Sequence, residues 1–339
     1  MGGHSTHEAY LQQLDPELRP AVEGFIAFYE GGYDLSTPDK VIEMRAKRSA
    51  RRQQTNASFA GPSVAIEDRF IPGYEGAPDV AARIYRPHNF SGPAPAMLWL
   101  HGGGYVMGDL DGEDLVCARM AHSTGAVVVS VDYRLAPEHP YPAPLHDCYA
   151  AYTWLLAESE ALGVNRDWVI LGGTSAGGGI AAGLCLFLRD RGELMPRLQV
   201  LAAPGIDDLT SERLNDARAD APPVGRNLLF NSWHWYLGGD ADRSIVPAYA
   251  SAARANNLSG MPPTYISVGS LDPMLDEDFN YARRLIDHGV KVELHVYPGG
   301  CHGFESFAPM AALSQRCLNE REDVVRRLFA SLGWRQPQN

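Results

Sequence analysis

Six short apolar runs, AMLWL (96–100), AVVVSVDY (126–133), WVILG (168–172), LQVLAA (198–203), TYISVGS (264–270) and VKVELHVYP (290–298), each stand one segment apart from the next. Most of the intervening segments, at 111–123, 145–160, 176–190 and 276–288, and the closing one at 310–332, carry apolar residues at helical spacing. Short β-rich runs alternating with helices require parallel strands, right-handed crossovers and helices on both faces of one sheet. The expected fold class is therefore α/β. Upstream, SVAIEDRFIP and DVAARIYRP flank a Gly/Pro-rich turn at 73–78 and read as two antiparallel strands. Residues 8–55 read as helical, with Thr37 capping a helix that starts at Pro38. The interval 204–263 breaks the rhythm: polar DDLTSERLNDARADAPP precedes aromatic LLFNSWHWYLG, which reads as an insertion between strands.

Charge and composition exclude several classes. The 29 basic and 41 acidic residues leave a net charge of −12, which argues against a nucleic-acid partner. The local exception is RAKRSARR (45–52), read as a solvated helix face. No apolar run approaches the roughly 20 residues of a membrane helix, so no stable membrane anchor is expected. Five cysteines (117, 148, 185, 301 and 317) lack paired spacing, and the opening MGGHSTHEAY has no apolar signal region. Both point to the cytoplasm and to a chain without disulfides.

The densest chemistry lies in LGGTSAGGGIAAG (171–183), six glycines around one serine directly after an apolar run. Gly173-Thr174-Ser175-Ala176-Gly177 matches G-x-S-x-G, in which a strained strand-to-helix turn exposes a nucleophilic serine. WVIL before it and GGGIAAGLCLFLRD after it supply the strand and helix that this geometry needs. A side chain at 173 or 177 is expected to collide with neighbouring backbone. The same glycines also fit a dinucleotide fingerprint, Gly177-Gly178-Gly179-Ile180-Ala181-Ala182, but the next strand offers no acid for a ribose before Asp207. His101-Gly102-Gly103-Gly104 follows AMLWL where backbone donors to an oxyanion belong.

A serine of this kind needs a base and an acid, in the chain order Ser, Asp or Glu, His. His302, in YPGGCHGF after the last run, fits the base. His288 ends a helix and His295 lies inside a strand, so both read as structural. Asp272, directly after TYISVGSL, is the best-placed acid, with Asp207 as the alternative. Asp276, Glu277 and Asp278 open a helix, where carboxylates are favourable in their own right.

The motifs HGGGYVMGDLD (101–111), DYRLAPEHPYPAPLHD (132–147), GTSAGG (173–178), DPMLDE (272–277) and CHGF (301–304) together resemble the hormone-sensitive-lipase family of bacterial carboxylesterases, in the α/β-hydrolase superfamily. The match spans roughly 60–330. It implies a catalytic triad of Ser175, Asp272 and His302, with the N–H groups of Gly103, Gly104 and Ala176 forming the oxyanion hole. It also implies a helical cap formed by 1–55 and 205–247 over a catalytic domain of 56–204 and 248–339. Thr174 departs from the aspartate that many members carry before the nucleophile, which removes a charge near the site.

The expected function is a cytoplasmic serine carboxylesterase acting on short- to medium-chain acyl esters through an acyl-enzyme. Its partner is a small-molecule ester, and a homodimer is compatible with the sequence. No cofactor and no metal are expected: H-E-x-x-H and Cys/His ligand spacing are both missing. Ser-x-x-Lys is missing too, which argues against penicillin-binding chemistry. An amidase, lactonase or carbamate hydrolase would use the same triad, and a non-catalytic receptor of this fold would lack the histidine. Phe230, Trp233, Trp235 and Tyr236, at the aromatic end of the insertion, read as the inner side of a lid walling an acyl pocket, with packing on the sheet as the alternative.

Overall fold

Strands β1 (Val64–Ile71), β2 (Val80–Pro87), β3 (Ala94–Leu100), β4 (Val127–Asp132), β5 (Val164–Thr174), β6 (Gln199–Ala202), β7 (Thr264–Gly269) and β8 (Val292–Tyr297) form a single sheet. Its order in the computed structural model, which describes residues 8–29, 32–56, 64–88, 92–239 and 241–335, is β1-β2-β4-β3-β5-β6-β7-β8. β1 pairs antiparallel with β2 and β2 with β4; every later pairing is parallel.

Helices α1 (Arg19–Phe28), α2 (Pro38–Asn56), α3 (Asp114–Thr124), α4 (Ala143–Ala157), α5 (Ala176–Asp190), α6 (Arg226–Tyr236), α7 (Leu275–Asp287) and α8 (Ala312–Ser331) surround that sheet. Successive strand side chains point to opposite faces. Ala96, Leu98 and Leu100 of β3, with Val129 and Leu171, therefore pack against α4, α5 and α7. Met97, Trp99, Val128 and Ile170 pack on the other side against α3 and α8. A strand covered on both faces must be largely apolar, which is why the central strands β3 to β7 read as apolar runs, whereas the edge strand β8 is mostly half-buried and carries Glu293 and His295.

Two further apolar clusters join the N-terminal helices to the rest. Phe25, Tyr29, Leu35, Val41 and Met44 pack with Val106 and Met107 after β3 and with Leu228 and Leu229 of α6. Tyr10, Leu14, Leu18 and Val22 pack with Cys301 and Phe304 after β8. Thr37 Oγ1 accepts from the Lys40 N–H at 3.3 Å, the N-cap expected of it.

RAKRSARR is not the solvated face expected from its charge. Only 26% of the Arg45 side chain and 14% of the Arg52 side chain is exposed, and Arg51 lies 5.2–5.4 Å from the ring centroids of Phe25, Phe28 and Tyr29. The reason is that α2 lies along the loop after β3 and turns its arginines toward that loop and toward α1. Lys47 conforms to the expectation, with 53% of its side chain exposed.

Candidate active site

β5 ends at Thr174 and α5 begins at Ala176, so Ser175 alone makes the turn, at φ 55° and ψ −120°. Such a conformation is strained for a residue with a Cβ and persists only where neighbours hold it. Here the Ser175 N–H donates to Ala202 O at 2.8 Å, and the N–H groups of Gly179 and Gly205 donate to Ser175 O at 3.0 and 2.9 Å. A Cβ at Gly177 would stand 2.1 Å from Leu100 O, so only glycine lets α5 start this close to the end of β3. The later glycines make room for the protein itself: a Cβ at 179 would meet Gly205 O at 2.0 Å and one at 183 would meet Tyr249 O at 2.1 Å. The dinucleotide reading has no support there, because the close approach is to other parts of this chain.

The sheet brings together the three side chains the sequence singled out. His302 Nε2 lies 3.0 Å from Ser175 Oγ, and His302 Nδ1 lies 2.8 Å from Asp272 Oδ2. All three are buried, Asp272 completely. The Met274 N–H donates to Asp272 Oδ1 at 2.9 Å, which leaves Oδ2 for the imidazole. Burial pulls the His302 pKa down, but the charge of Asp272, its hydrogen bond and the charge of Glu305 outweigh this and leave it above the ordinary value. Glu305 is itself buried and paired with the buried Arg321 at 2.7 Å.

The other candidates have separate duties. Asp207 is paired with Arg213 and accepts from the Leu209 N–H. His288 Nδ1 lies 2.8 Å from Arg284 O at the end of α7, and His295 lies between Glu293 and Glu320. Of the helix-opening carboxylates, Asp276 is exposed and pairs with Arg218 at 2.8 Å. Glu277 does more than place a favourable charge at a helix start. It is buried and accepts from the N–H groups of Ile206 and Asp207 at 2.7 and 3.3 Å and from Thr210 Oγ1. It fixes the loop after β6, and burial drives its pKa well up. Asp278 is fully buried, and its carboxylate oxygens meet no hydrogen-bond partner among the described residues.

The glycine loop lies against the serine turn: a Cβ at Gly102 would be 3.1 Å from Thr174 O and 3.3 Å from Ser175 Cβ. Gly103 has φ 137°, and a Cβ there would be 2.1 Å from Met107 O. Ala176 is the first residue of α5, so its N–H has no acceptor within the helix. Several side chains that the sequence did not mark hold this loop. Tyr133 Oη donates to His101 O at 2.7 Å, and buried Glu113 accepts from Trp99 Nε1 at 2.8 Å and from the Gly102 N–H at 3.4 Å. Tyr105 Oη donates to Gly205 O at 2.6 Å. His101 stacks on Tyr133 at 4.0 Å, and burial pushes its pKa down to about 4, so it is a neutral part of the core.

The aromatic residues of α6 do not share one inner face. Tyr236 stacks on Tyr105 at 3.9 Å and Trp233 packs against the same ring at 4.9 Å, both buried in the main core. Trp235 Nε1 donates to Leu35 O at 2.7 Å and ties α6 to the N-terminal segment. Phe230 is 46% exposed and stacks on His234. Helical phase is the cause: positions 233 and 236 share the side facing Tyr105, whereas 230 and 234 share the outer side. Among the described residues, no three His, Cys, Asp or Glu side chains are grouped to hold a metal ion.

A mostly parallel sheet with a serine at the β5–α5 turn and a histidine–aspartate pair beyond β7 and β8 has the architecture of an α/β hydrolase. Residues 97–306 match the model of a family with the alpha/beta hydrolase fold, and the chain belongs to that family, which includes hormone-sensitive-lipase-like esterases. Carboxylesterase NlhH of Mycobacterium tuberculosis is 37% identical over 87% of this chain and 90% of its own length. Ethyl acetate hydrolase of Pseudomonas putida is 33% identical over 85% of this chain and 92% of its own. The solved structure of a bacterial heroin esterase superposes with a TM-score of 0.86 at 37% identity, covering 94% of this chain and 98% of its own.

Proposed function

We propose that this protein is a serine carboxylesterase, with Ser175 as nucleophile, His302 as general base and acid, and Asp272 as the group that orients the imidazole. The observation that carries this reading is the continuous relay from Asp272 Oδ2 through His302 to Ser175 Oγ, at 2.8 and 3.0 Å, beside a glycine loop. Ser175 Oγ attacks the ester carbonyl as its proton passes to His302 Nε2. The N–H groups of Gly103, Gly104 and Ala176 stabilise the tetrahedral oxyanion. Collapse breaks the C–O bond to the alcohol, which leaves with the proton held by His302. Water, deprotonated by the same nitrogen, then releases the acid from the acyl-enzyme and restores Ser175.

In this reading the described residues of 1–55 and 205–247 form a cap over those of the catalytic domain, 56–204 and 248–339; residues 1–7, 30–31, 57–63, 89–91, 240 and 336–339 of those spans lie outside the described residues. Its support is the apolar cluster shared by α1, α2, α6 and the loop after β3. A cytoplasmic setting is also part of the reading, supported by five buried cysteines that are free thiols.

Only the neutral imidazole can accept the serine proton, and the charge of Asp272 makes His302 hold its own proton more tightly. The acid limb of kcat/KM against pH is therefore expected to have its midpoint above the ordinary histidine value of about 6.5. A stopped-flow pH profile with p-nitrophenyl butyrate measures it, and a midpoint below that value would contradict the assignment.

The substrate class is short- to medium-chain acyl esters, in line with a relative named for ethyl acetate. Each methylene that fits beneath the cap adds up to about 0.8 kcal/mol, roughly fourfold in kcat/KM. Once the space is filled, further methylenes must displace the cap or remain in water. A series of p-nitrophenyl esters below their micelle concentrations, with amide and lactone substrates alongside, should peak at short acyl chains and fall off by palmitate. An optimum at palmitate, or amide turnover exceeding ester turnover, would overturn this reading.

A further inference from the structure

We propose that Arg45 of α2 is a positioning residue of the esterase reaction, holding the outer side of the loop that carries the oxyanion donors. The proposal rests on the serine-esterase reading above and adds a part of the chain that the motifs do not include.

The loop cannot hold its shape by local preference. Gly103, Gly104, Tyr105 and Gly108 all have positive φ, at 137°, 63°, 64° and 106°, and for Tyr105 this is an unfavourable conformation that needs support from outside. The inner side has that support from Tyr133, Glu113 and the bond from Tyr105 to Gly205. On the outer side stands the guanidinium of Arg45. Arg45 Nε donates to Val106 O at 2.6 Å and Nη2 to Ala136 O at 2.7 Å. Nη1 and Nη2 also grip Glu138 Oε1 and Oε2 at 2.6 and 2.8 Å.

These bonds form a brace. The Ala136 N–H donates to Tyr105 O at 3.0 Å, so the backbone of Ala136 and the Arg45 guanidinium hold the carbonyls of two successive peptides, Tyr105–Val106 and Val106–Met107. The Val106 and Met107 N–H groups return to Gly103 O at 3.3 and 2.9 Å, which passes a shift at Val106 back to a donor residue within one turn. One turn or more further along α2, Arg52 pairs with Asp109, whose carboxylate also caps the Gly112 N–H at 3.0 Å. The planar fork is essential, because it reaches two carbonyls and a carboxylate from one fixed plane, which an ammonium cannot do.

Oxyanion donors act only when charge develops on the carbonyl oxygen, and a displacement of about 1 Å can cost on the order of 100-fold. A brace on those donors therefore affects kcat and not ground-state binding. Arg45→Met is expected to lower kcat on p-nitrophenyl butyrate by about 10- to 100-fold with KM within about twofold. The inhibition constant of butyl trifluoromethyl ketone, whose oxygen becomes an oxyanion when Ser175 adds to its carbonyl, should weaken by the same factor. Arg45→Lys should recover little of either loss. Glu138→Gln, which keeps both carbonyl contacts, should show a smaller loss of about two- to fivefold in both readouts, and it decides the question if Arg45→Met does not fold. A folded Arg45→Met with wild-type kcat and ketone affinity, a loss confined to KM or Tm, or full recovery by lysine would overturn the proposal. So would an unchanged Glu138→Gln. A wild-type protein that neither turns over the ester nor binds the ketone would overturn the esterase reading as well, which separates the two failures.

Discussion

Ser175→Ala is expected to lower kcat on p-nitrophenyl butyrate by about 10⁵- to 10⁶-fold while the protein remains folded. Ser175 Oγ makes its contact with His302, and the turn itself is fixed by backbone bonds to Ala202, Gly179 and Gly205. Alanine can adopt the same strained φ of 55° at a cost like that of serine. The variant therefore loses one hydrogen bond, about 1 kcal/mol, and leaves the surrounding glycine contacts in place. What remains is the acceleration from the oxyanion donors and from binding alone, which accounts for a residual rate above that in water. Steady-state turnover with far-UV circular dichroism on the same sample measures both halves. Retained turnover in a folded variant would remove Ser175 from the mechanism.

Asp272→Asn carries the second large effect, a loss of about 10⁴-fold in kcat. Its cause lies in the neighbours of Asp272. Oδ1 accepts from the Met274 N–H at 2.9 Å and Oδ2 faces His302 Nδ1 at 2.8 Å. Asparagine keeps its carbonyl oxygen on Met274 and turns its amide N–H toward His302. The imidazole must then accept at Nδ1 and carry its proton on Nε2, where it cannot take the serine proton. The loss of a buried charge also removes the larger of the two charges that raise the His302 pKa, leaving that of Glu305. Asp276→Asn, on the exposed carboxylate that pairs with Arg218, should stay within about threefold of wild type. A greater loss in Asp276→Asn or Glu277→Gln than in Asp272→Asn would mean that the wrong carboxylate has been assigned.

Much of this was legible because the responsible physics is local. Runs such as AVVVSVDY announce a strand buried on both faces, and β4 occupies 127–132 within it. Gly173 and Gly177 flank a serine because no Cβ fits there, a constraint written into five consecutive residues. The order Ser175, Asp272, His302 follows the order of the strands that deliver them. Residues whose role depends on distant partners were not legible. Glu277 has the sequence context of a helix-start charge, yet Ile206, 71 positions earlier, supplies its donor. Glu113 likewise sits in an acidic stretch that gives no sign of the Trp99 indole it accepts from. The arginines of RAKRSARR look solvated until Val106 and Ala136 arrive beside Arg45. For the α6 aromatics the composition was informative but the phase was not. Four Phe, Trp and Tyr residues within seven positions do not reveal which of them will meet Tyr105.

The central claim, that ester hydrolysis proceeds through a covalent bond to Ser175, is tested most directly by an alkyl fluorophosphonate. The serine oxygen displaces fluoride and the resulting phosphonyl oxygen occupies the oxyanion position. Intact-mass measurement of the wild-type protein should show one adduct, peptide mapping should place it on Ser175, and residual activity should fall in proportion to the labelled fraction. Ser175→Ala should take up none. An adduct on another residue, or hydrolysis that persists after Ser175 is fully modified, would contradict the account.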